Sequence, residues 1–102
     1  TAARYELPIC IVLYNNSAWV ARNPRPGDNR PYHFQMNLRY DRLAEALGCH
    51  GEFVESPEEI GPALERAFAS GRPSLLNVIV HPTASTGIYG AGRSQTLKVR
   101  FY

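Results

Sequence analysis

The sequence lacks any apolar run close to the length of about 20 residues that a membrane-spanning helix needs, and we expect no membrane partner. It also lacks a strong net charge, because 11 Lys and Arg residues stand against 9 Asp and Glu residues and leave +2. A balance this small does not indicate nucleic acid as a partner. Hydrophobic residues make up 44% and charged residues 20% of the 102 positions, which predicts one small globular domain.

Cysteine and histidine are scarce as well. The two cysteines, Cys10 and Cys49, fall in different predicted elements without the spacing of a metal site. They therefore predict no disulfide framework and favour the cytoplasm as the compartment. The three histidines, His33, His50 and His81, do not have the spacing of a metal triad either.

Three short runs predict strands at residues 9–13, 52–55 and 74–80. The first, "ICIVL", is apolar throughout rather than alternating, which is typical of a strand covered on both faces in a parallel sheet. The third, "SLLNVIV", predicts a second buried strand.

Two helices are predicted between these strands. In "YDRLAEALG", we expect Asp41 as the N-cap and Gly48 as the residue with positive φ just past the helix end. The second helix begins at "SPEE", where Ser56 and Glu59 form a capping box. Four residues of this second helix share one apolar face at helical spacing, namely Ile60, Leu64, Ala67 and Phe68.

The order of the elements predicts an α/β fold, with a parallel sheet, flanking helices and right-handed crossovers. The carboxyl ends of parallel strands meet at one edge, where ligands bind in open α/β sheets. Asn15 and Asn16 follow the first strand and lie at this edge. Their presence has two interpretations at this point, either a turn that ends the strand or a ligand site.

Two segments lie outside this regular pattern. Residues 15–38 are rich in proline and asparagine and predict a long irregular loop, which is usually functional or mobile in a compact domain. Arg22, Arg25 and Arg30 gather there, either on a solvated loop or as a site for a phosphate-bearing ligand. Residues 83–102 predict an extended C-terminal tail that lies over the domain or a partner, or frays.

Two longer motifs carry a resemblance to a known family. "ARYELPICIVLYNNSAW" resembles the second half of the thiamine-diphosphate signature, in which Gly-Asp-Gly precedes a helix and the next strand ends in Asn-Asn. "YDRLAEALGCHGEFVESPEEIGPALERAFASGRPSLLNVIVHP" is similar to the rest of the cofactor-binding domain in acetolactate synthases, benzaldehyde lyase, oxalyl-CoA decarboxylases and 2-hydroxyacyl-CoA lyases. The resemblance covers residues 1–82, the expected C-terminal portion of the thiamine-diphosphate-binding domain.

The resemblance implies a cofactor site at the paired asparagines. A diphosphate needs a divalent cation, and Mg²⁺ prefers oxygen ligands. The side chain of Asn16 and the backbone carbonyl of Ala18 are the metal ligands that the family pattern implies. Asn15 is expected to shape the turn, and Ser17 and Trp19 complete the cofactor-binding segment.

The resemblance also implies two substrate contacts. The segment after Asn-Asn walls the reaction pocket in this family, so Trp19 is expected to face the substrate, with core or lid packing as the alternative. The tail "GIYGAGRSQTLK" is similar to the tail that closes over the substrate in oxalyl-CoA and 2-hydroxyacyl-CoA enzymes. Residues 83–102 are then a lid whose Arg93 and Ser94 contact an acyl-CoA substrate, with a solvated terminus as the alternative.

The function implied is that of an enzyme fragment that uses thiamine diphosphate and Mg²⁺ to make or break C–C bonds next to a carbonyl. A 2-hydroxyacyl-CoA lyase or a related carboligase is favoured, since oxalyl-CoA decarboxylases tend to have Ile-Tyr where this chain has Trp19 and Val20. Acetolactate synthase and oxalyl-CoA decarboxylase are the alternatives within the family. A non-enzymatic alternative is a small α/β binding module whose asparagines only make a turn.

Two parts of the family's site are absent from residues 1–102: the Gly-Asp-Gly and the glutamate that activates the cofactor from another domain. We therefore expect no catalytic residue in this segment and no activity from it alone. The expected partners are the remainder of the same enzyme, with the Gly-Asp-Gly segment and the pyrimidine-binding domain, in a homodimer or homotetramer. The opening "TAARYELPI", which predicts a helix tail followed by a strand, fits a piece of a longer chain.

Overall fold

A computed structural model describes residues 1–19, 31 and 33–81 of the chain. Several predictions made from the sequence fall outside these residues: the arginine group at Arg22, Arg25 and Arg30, and the tail of residues 83–102 with Arg93 and Ser94.

The described residues form three strands and two helices in the predicted alternating order. These are β1 (Cys10–Asn15), α1 (Tyr40–Ala46), β2 (His50–Val54), α2 (Pro57–Ala69) and β3 (Ser74–Ile79). β1 extends two residues beyond the predicted strand, so the first of the paired asparagines is its last residue. The opening residues form one hydrogen-bonded turn, in which Thr1 O accepts from Tyr5 N at 3.1 Å. Ala2 O accepts from Leu7 N at 3.1 Å and Glu6 has φ of 48°, which is the pattern of a helix end and agrees with the predicted helix tail.

The three strands form one sheet in the order β1-β3-β2, and both strand pairs are parallel. This confirms the predicted α/β fold with a parallel sheet. β3 is the central strand, and its register places Asn77 opposite Leu13 of β1 and Phe53 of β2. All three carboxyl ends therefore lie at the edge where the paired asparagines stand.

The two helices lie on opposite faces of β3. Successive side chains of a strand point to opposite sides, so alternate residues of β3 face α1 and α2. Leu76 and Val78 pack with Ala63 and Ala67 of α2 in the main hydrophobic core, which Val54 of β2 completes. The side chain between them, Asn77, points to the other face and bonds the first turn of α1. The buried amide of Asn77 thus faces α1, while the main hydrophobic core lies on the side of α2.

The apolar face predicted for α2 is displaced from the observed one. Phe68 is 71% exposed, whereas Ala63, which the prediction did not include, is fully buried. Ile60 and Leu64 lie at the margin, partly buried against the core. Two alanines at the centre of the interface allow α2 to lie close to the sheet, and Phe68 lies outside the face of α2 that contacts the sheet.

Most helix ends follow the sequence signals. Gly48 follows α1 with φ of 85°, as predicted, and Gly71 follows α2 with φ of 64°, as glycine permits at this position. The Glu59 carboxylate accepts from the backbone N–H of Ser56 at 3.3 Å and completes the predicted capping box. The exception is Asp41, which lies in the first turn of α1 and does not cap it, since the N-cap is Arg39.

β1 exposes apolar side chains on both of its faces. Ile11 is 51% exposed and its neighbour Val12, on the opposite face, is 42% exposed. The sequence predicted a strand covered on both faces, and the described residues of this chain do not supply that cover. Among those residues, no helix is long and apolar enough to cross a membrane.

Candidate functional site

Residues 15–18 turn the chain at the carboxyl end of β1, and we call them the Asn-Asn turn. Oδ1 of Asn15 accepts from the backbone N–H of Ser17, and Oδ1 of Asn16 accepts from that of Ala18, both at 3.1 Å. Ser17 has φ of 58°, which lies in the left-handed region that L residues rarely adopt. Two successive asparagine side chains therefore hold the turn in a tight conformation.

The two asparagines face different surroundings. Asn15 is buried and its Nδ2 donates to Leu38 O at 3.1 Å and to Asn77 Oδ1 at 3.0 Å. Asn16 is partly exposed at the edge of the sheet. Asn15 is thus fixed to the interior of the domain, and Asn16 is the amide directed to the surroundings of the turn.

Behind Asn15 lies a set of linked side chains, Asn15, Asn77, Asp41 and Arg39, which we call the amide network. Asn77 donates from Nδ2 to Leu38 O at 2.8 Å and to Asp41 Oδ1 at 3.1 Å. Asp41 in turn accepts from Nε and Nη2 of Arg39, the latter at 2.6 Å. Arg39 also lies over the ring of Phe53, 4.2 Å from its centroid.

The amide network keeps Asp41 ionised. Burial raises the pKa of the Asp41 carboxyl, but the hydrogen bonds from Arg39 and Asn77 outweigh it and hold that pKa below its ordinary value. Such charge-assisted bonds are stronger than those between neutral groups. Asp41 is therefore a fixed negative charge within the amide network at neutral pH.

Residues 33–38 bind the other side of the Asn-Asn turn. Ser17 O accepts from the backbone N–H of Phe34 at 2.8 Å, and Ser17 Oγ accepts from that of Asn37 at 3.2 Å. Ala18 and His33 form an isolated antiparallel bridge. The turn is thus held by the amide network on one side and by this segment on the other.

Trp19 follows the turn directly and is 80% exposed. Its indole therefore does not pack in the core that the described residues form. Residues 15–19 thus follow one another at the carboxyl edge of the sheet, and their roles toward cofactor, metal and substrate stay predictions. Arg93 and Ser94 lie outside the described residues.

The donor set of the turn suits Mg²⁺. Amide and carbonyl oxygens are among the ligands that this cation prefers. The Asn16 oxygen accepts one hydrogen bond from Ala18 and, as an amide oxygen with two lone pairs, can also bind a cation. Asp41 is not a candidate ligand, since its buried carboxylate is engaged by Arg39 and Asn77.

The described residues hold no metal site built from histidine, cysteine or carboxylate ligands. No three His, Cys, Asp or Glu side chains in residues 1–19, 31 and 33–81 converge as a metal site. Cys10 and Cys49 are both free thiols. His50 lies at the start of β2, at the other edge of the sheet, and bonds Glu52 at 2.9 Å.

Arg39, Asp41 and Asn77 are the three residues of the amide network that the sequence did not identify as functional. Asn77 carried a signal, because it is the one amide in the apolar run "SLLNVIV", and a buried amide needs hydrogen-bond partners. The sequence predicted Asp41 as a helix cap, but its carboxylate instead accepts from its near neighbour Arg39 and from the distant Asn77.

Comparisons with known proteins agree with this arrangement. A family model described as "Thiamine pyrophosphate enzyme, C-terminal TPP binding domain" matches residues 1–78. A probable acetolactate synthase of Mycobacterium bovis is 38% identical over 89 residues, covering 83% of this chain and 16% of that protein. A 2-hydroxyacyl-CoA lyase of Arabidopsis thaliana is 34% identical over 93 residues (82% and 16%).

An oxalyl-CoA decarboxylase of Escherichia coli is 31% identical over 90 residues, covering 84% of this chain and 16% of that enzyme. The chain thus spans about a sixth of the length of these relatives. The resemblance stated from the sequence is confirmed: the chain belongs to the thiamine pyrophosphate enzymes and corresponds to part of their C-terminal TPP-binding domain.

Proposed function

We propose that this chain holds the diphosphate of thiamine diphosphate through Mg²⁺, with the Asn16 side chain and the Ala18 carbonyl as ligands. The observation that carries the proposal is the Asn-Asn turn itself. Its two asparagines are tied to the backbone at 3.1 Å, and it stands at the carboxyl edge of a parallel sheet, where ligands of α/β folds bind.

The charges of such a site favour neutral ligands from this chain. The diphosphate is anionic, and the Gly-Asp-Gly expected elsewhere in the enzyme adds a carboxylate. An amide and a carbonyl complete an oxygen shell without adding further negative charge. Ser17 and Trp19 complete the cofactor-binding segment in this proposal, and Asn15 holds it in place.

Thiamine diphosphate, when bound, supplies the electron-accepting chemistry that allows a C–C bond next to a carbonyl to form or break. The residues of this chain bind and orient, and the exposed indole of Trp19 forms part of the wall of the substrate pocket. We favour a 2-hydroxyacyl-CoA lyase or a related carboligase, with acetolactate synthase and oxalyl-CoA decarboxylase as alternatives. In the lyase, Arg93 and Ser94 of the tail contact an acyl-CoA.

The remainder of the same enzyme is the proposed partner of this chain. Residues 1–82 form the C-terminal portion of the cofactor-binding domain, and residues 83–102 form a lid. The apolar faces of β1, with Ile11 and Val12 exposed, fit a sheet that continues into other parts of the enzyme. The activating glutamate comes from the pyrimidine-binding domain, in a homodimer or homotetramer, and the free thiols fit a cytoplasmic enzyme.

Titration calorimetry on the full-length enzyme tests the metal role. Asn16→Leu is expected to abolish Mg²⁺-dependent binding of thiamine diphosphate while the melting temperature stays close to that of the wild type. Asn16→Asp keeps an oxygen ligand but adds a negative charge, so it is expected to bind the cofactor more tightly than Asn16→Leu and more weakly than the wild type. Unchanged affinity in Asn16→Leu would favour the alternative in which the asparagines only make a turn.

A product assay separates the candidate reactions. The favoured lyase releases formyl-CoA from a 2-hydroxyacyl-CoA, and an acetolactate synthase forms acetolactate from pyruvate. Incubation of the full-length enzyme with each substrate, with Mg²⁺ and thiamine diphosphate present, distinguishes them. Acetolactate as the main product would contradict the favoured reaction but not the metal role of Asn16.

A further inference from the structure

Asn77 is an amide at the centre of the central strand. Its side chain is 0% exposed, and it lies in β3 with β1 and β2 on either side. Burying an amide costs free energy unless its donors and acceptor are bonded. The partners of Asn77 therefore determine what this position does.

These partners come from separate places along the chain. Oδ1 of Asn77 accepts from Asn15 at the end of β1. Nδ2 donates to Leu38 O just before α1 and to Asp41 Oδ1 in the first turn of α1. Asn77 is thus the one described side chain that joins the start of the Asn-Asn turn to α1.

Asp41 and the Leu38 carbonyl together set the direction of the bonds between the amides of the network, because both groups only accept. An ionised carboxylate only accepts hydrogen bonds, so the Asn77 amino group must face Asp41 and its oxygen must face Asn15. Asn15 must then offer its own amino group to Asn77. The Asn15 oxygen then accepts a hydrogen bond from the backbone N–H of Ser17, at 3.1 Å.

The amide network therefore ends inside the Asn-Asn turn, at the N–H of Ser17. Ser17 lies between Asn16 and Ala18, the two proposed ligands. Leu38 O receives both amides, from Asn15 at 3.1 Å and Asn77 at 2.8 Å, and fixes the distance between them. Reversal of either amide would place two like groups face to face.

We infer that Asp41 and Asn77 are positioning residues, which hold the Asn-Asn turn in its cation-binding form through this chain of oriented amides. The inference rests on the proposed metal role of Asn16. Neither residue touches the cation, and both act through Asn15. Groups that orient metal ligands in this way typically change metal affinity by roughly 10- to 100-fold when they are replaced.

Asn77→Asp in the full-length enzyme tests the inference. It places a carboxylate against Asp41 and removes the donor to Leu38 O. We expect Mg²⁺-dependent affinity for thiamine diphosphate, measured by calorimetry, to fall by roughly 10- to 100-fold. Hydrogen exchange at the Ser17 amide, which reports the end of the amide network, is expected to become faster.

The double variant Asp41→Asn with Asn77→Asp restores two of these bonds but not the donor to Leu38 O. The carboxylate at position 77 accepts from Asn15 and from the new amide at position 41. We expect its affinity to exceed that of Asn77→Asp, because the two facing carboxylates are gone, and to stay below that of the wild type. A double variant that folds and binds no better than Asn77→Asp overturns the inference. Where Asn77→Asp alone fails to fold, Asp41→Asn alone takes its place, and unchanged affinity with unchanged exchange at the Ser17 amide overturns the inference.

Ser74→Ala is the matched control for lost stability. Ser74 is a buried polar residue of the same strand at its other end, and the single proton of its hydroxyl lies within reach of Arg72 O at 2.9 Å and Ala67 O at 3.2 Å. Its replacement is expected to lower the melting temperature without changing cofactor affinity. Asn77→Asp behaving like this control, with unchanged affinity and unchanged exchange at Ser17, overturns the inference.

The result that would contradict the proposed function is different from the one that would contradict this inference. If Asn16→Leu binds the cofactor as the wild type does, the metal role is wrong and the inference falls with it. If Asn16→Leu loses binding and Asn77→Asp does not, the metal role stands and the positioning role alone is overturned. The two variants measured together therefore separate the two claims.

Discussion

Asn15 and Asn77, 62 residues apart in the chain, share a hydrogen bond of 3.0 Å between Nδ2 of the first and Oδ1 of the second. The parallel register brings them together. Leu13 is the partner of Asn77 in the sheet, and Asn15 follows it by two residues, so both amides lie on the same face. The pairing of β1 with β3 is thus what links the Asn-Asn turn to α1.

Substitutions of the two asparagines of the turn are expected to affect different properties, stability for Asn15 and cation binding for Asn16. Asn15→Ala leaves buried groups on Asn77 and Ser17 without a partner, which should lower the free energy of unfolding by about 1–3 kcal/mol. Asn16→Ala loses one partly exposed bond and should cost less than about 1 kcal/mol, but should lose Mg²⁺-dependent cofactor binding. Denaturant titration and calorimetry on the full-length enzyme give both quantities. Equal destabilisation by the two variants would contradict the assignment.

The left-handed backbone at Ser17 predicts an ordered series of stabilities. Ser17→Gly removes the cost of a side chain at positive φ, about 1–2 kcal/mol, and loses the bond to Asn37, worth about 1 kcal/mol. We expect a melting temperature close to that of the wild type. Ser17→Val keeps the strain, adds a β-branched side chain and loses the bond, so it should be the least stable. A valine variant as stable as the glycine variant would show that φ at this position is not constrained.

Gly51 of β2 lies against the first turn of α1, and a Cβ there would meet Asp41 O at 2.3 Å and Glu45 Cγ at 2.9 Å. Gly51→Ala should therefore push α1 away, lower stability by about 1–3 kcal/mol, and weaken cofactor binding through Asp41.

Gly61→Ala is the control, because a Cβ at Gly61 meets no atom within 4 Å outside its chain neighbours and its own helix backbone. Alanine is favoured over glycine inside a helix by about 1 kcal/mol, but Gly61 directly precedes Pro62 in α2, and the proline ring disfavours a helical residue with a Cβ before it. This variant should therefore have a stability close to that of the wild type and unchanged binding. Similar behaviour of the two variants in thermal melts would contradict a close contact between α1 and β2.

The depressed pKa of Asp41 predicts a loss of stability in acid. A carboxyl whose pKa is lower in the folded state than its ordinary value of 3.8 adds stability that is fully present above that value. The stability is lost as the pH falls through the lower folded pKa. Asp41→Asn should therefore be less stable than the wild type at neutral pH, and the difference should shrink below about pH 4. Melting temperatures measured across this range give the result, and a constant difference would contradict it.

Local signals in the sequence predicted most of the fold. The uniformly apolar run before Asn15 predicted a strand of a parallel sheet, and Glu59 and Gly48 predicted helix boundaries, because capping and positive φ depend on neighbouring residues alone. Phe68 was misplaced because helical spacing shows which residues share a face but not how close that face lies to the sheet. The observed interface contains two alanines, Ala63 and Ala67, whose small side chains allow α2 to lie close to the sheet.

The sequence predicted where the candidate site lies but not the amide network that holds it. Asn15 and Asn16 were recognisable after an apolar strand, as a local motif. The amide network was not, because the bond between Asp41 and Asn77 spans 36 residues and depends on the register of the sheet. The local sequence around Asp41 predicted a helix cap. Its bond to Asn77, from a distant part of the chain, makes it a member of the amide network instead.

β1 pairs only with β3 among the described strands, and it presents Ile11 and Val12 on its two faces. An open strand edge with apolar surroundings is a template for another copy of the same strand. A recombinant fragment restricted to these residues should self-associate edge to edge, and its sedimentation should depend on concentration. Work on this domain in isolation therefore calls for a charged or proline substitution on β1, or for co-expression with the neighbouring segments.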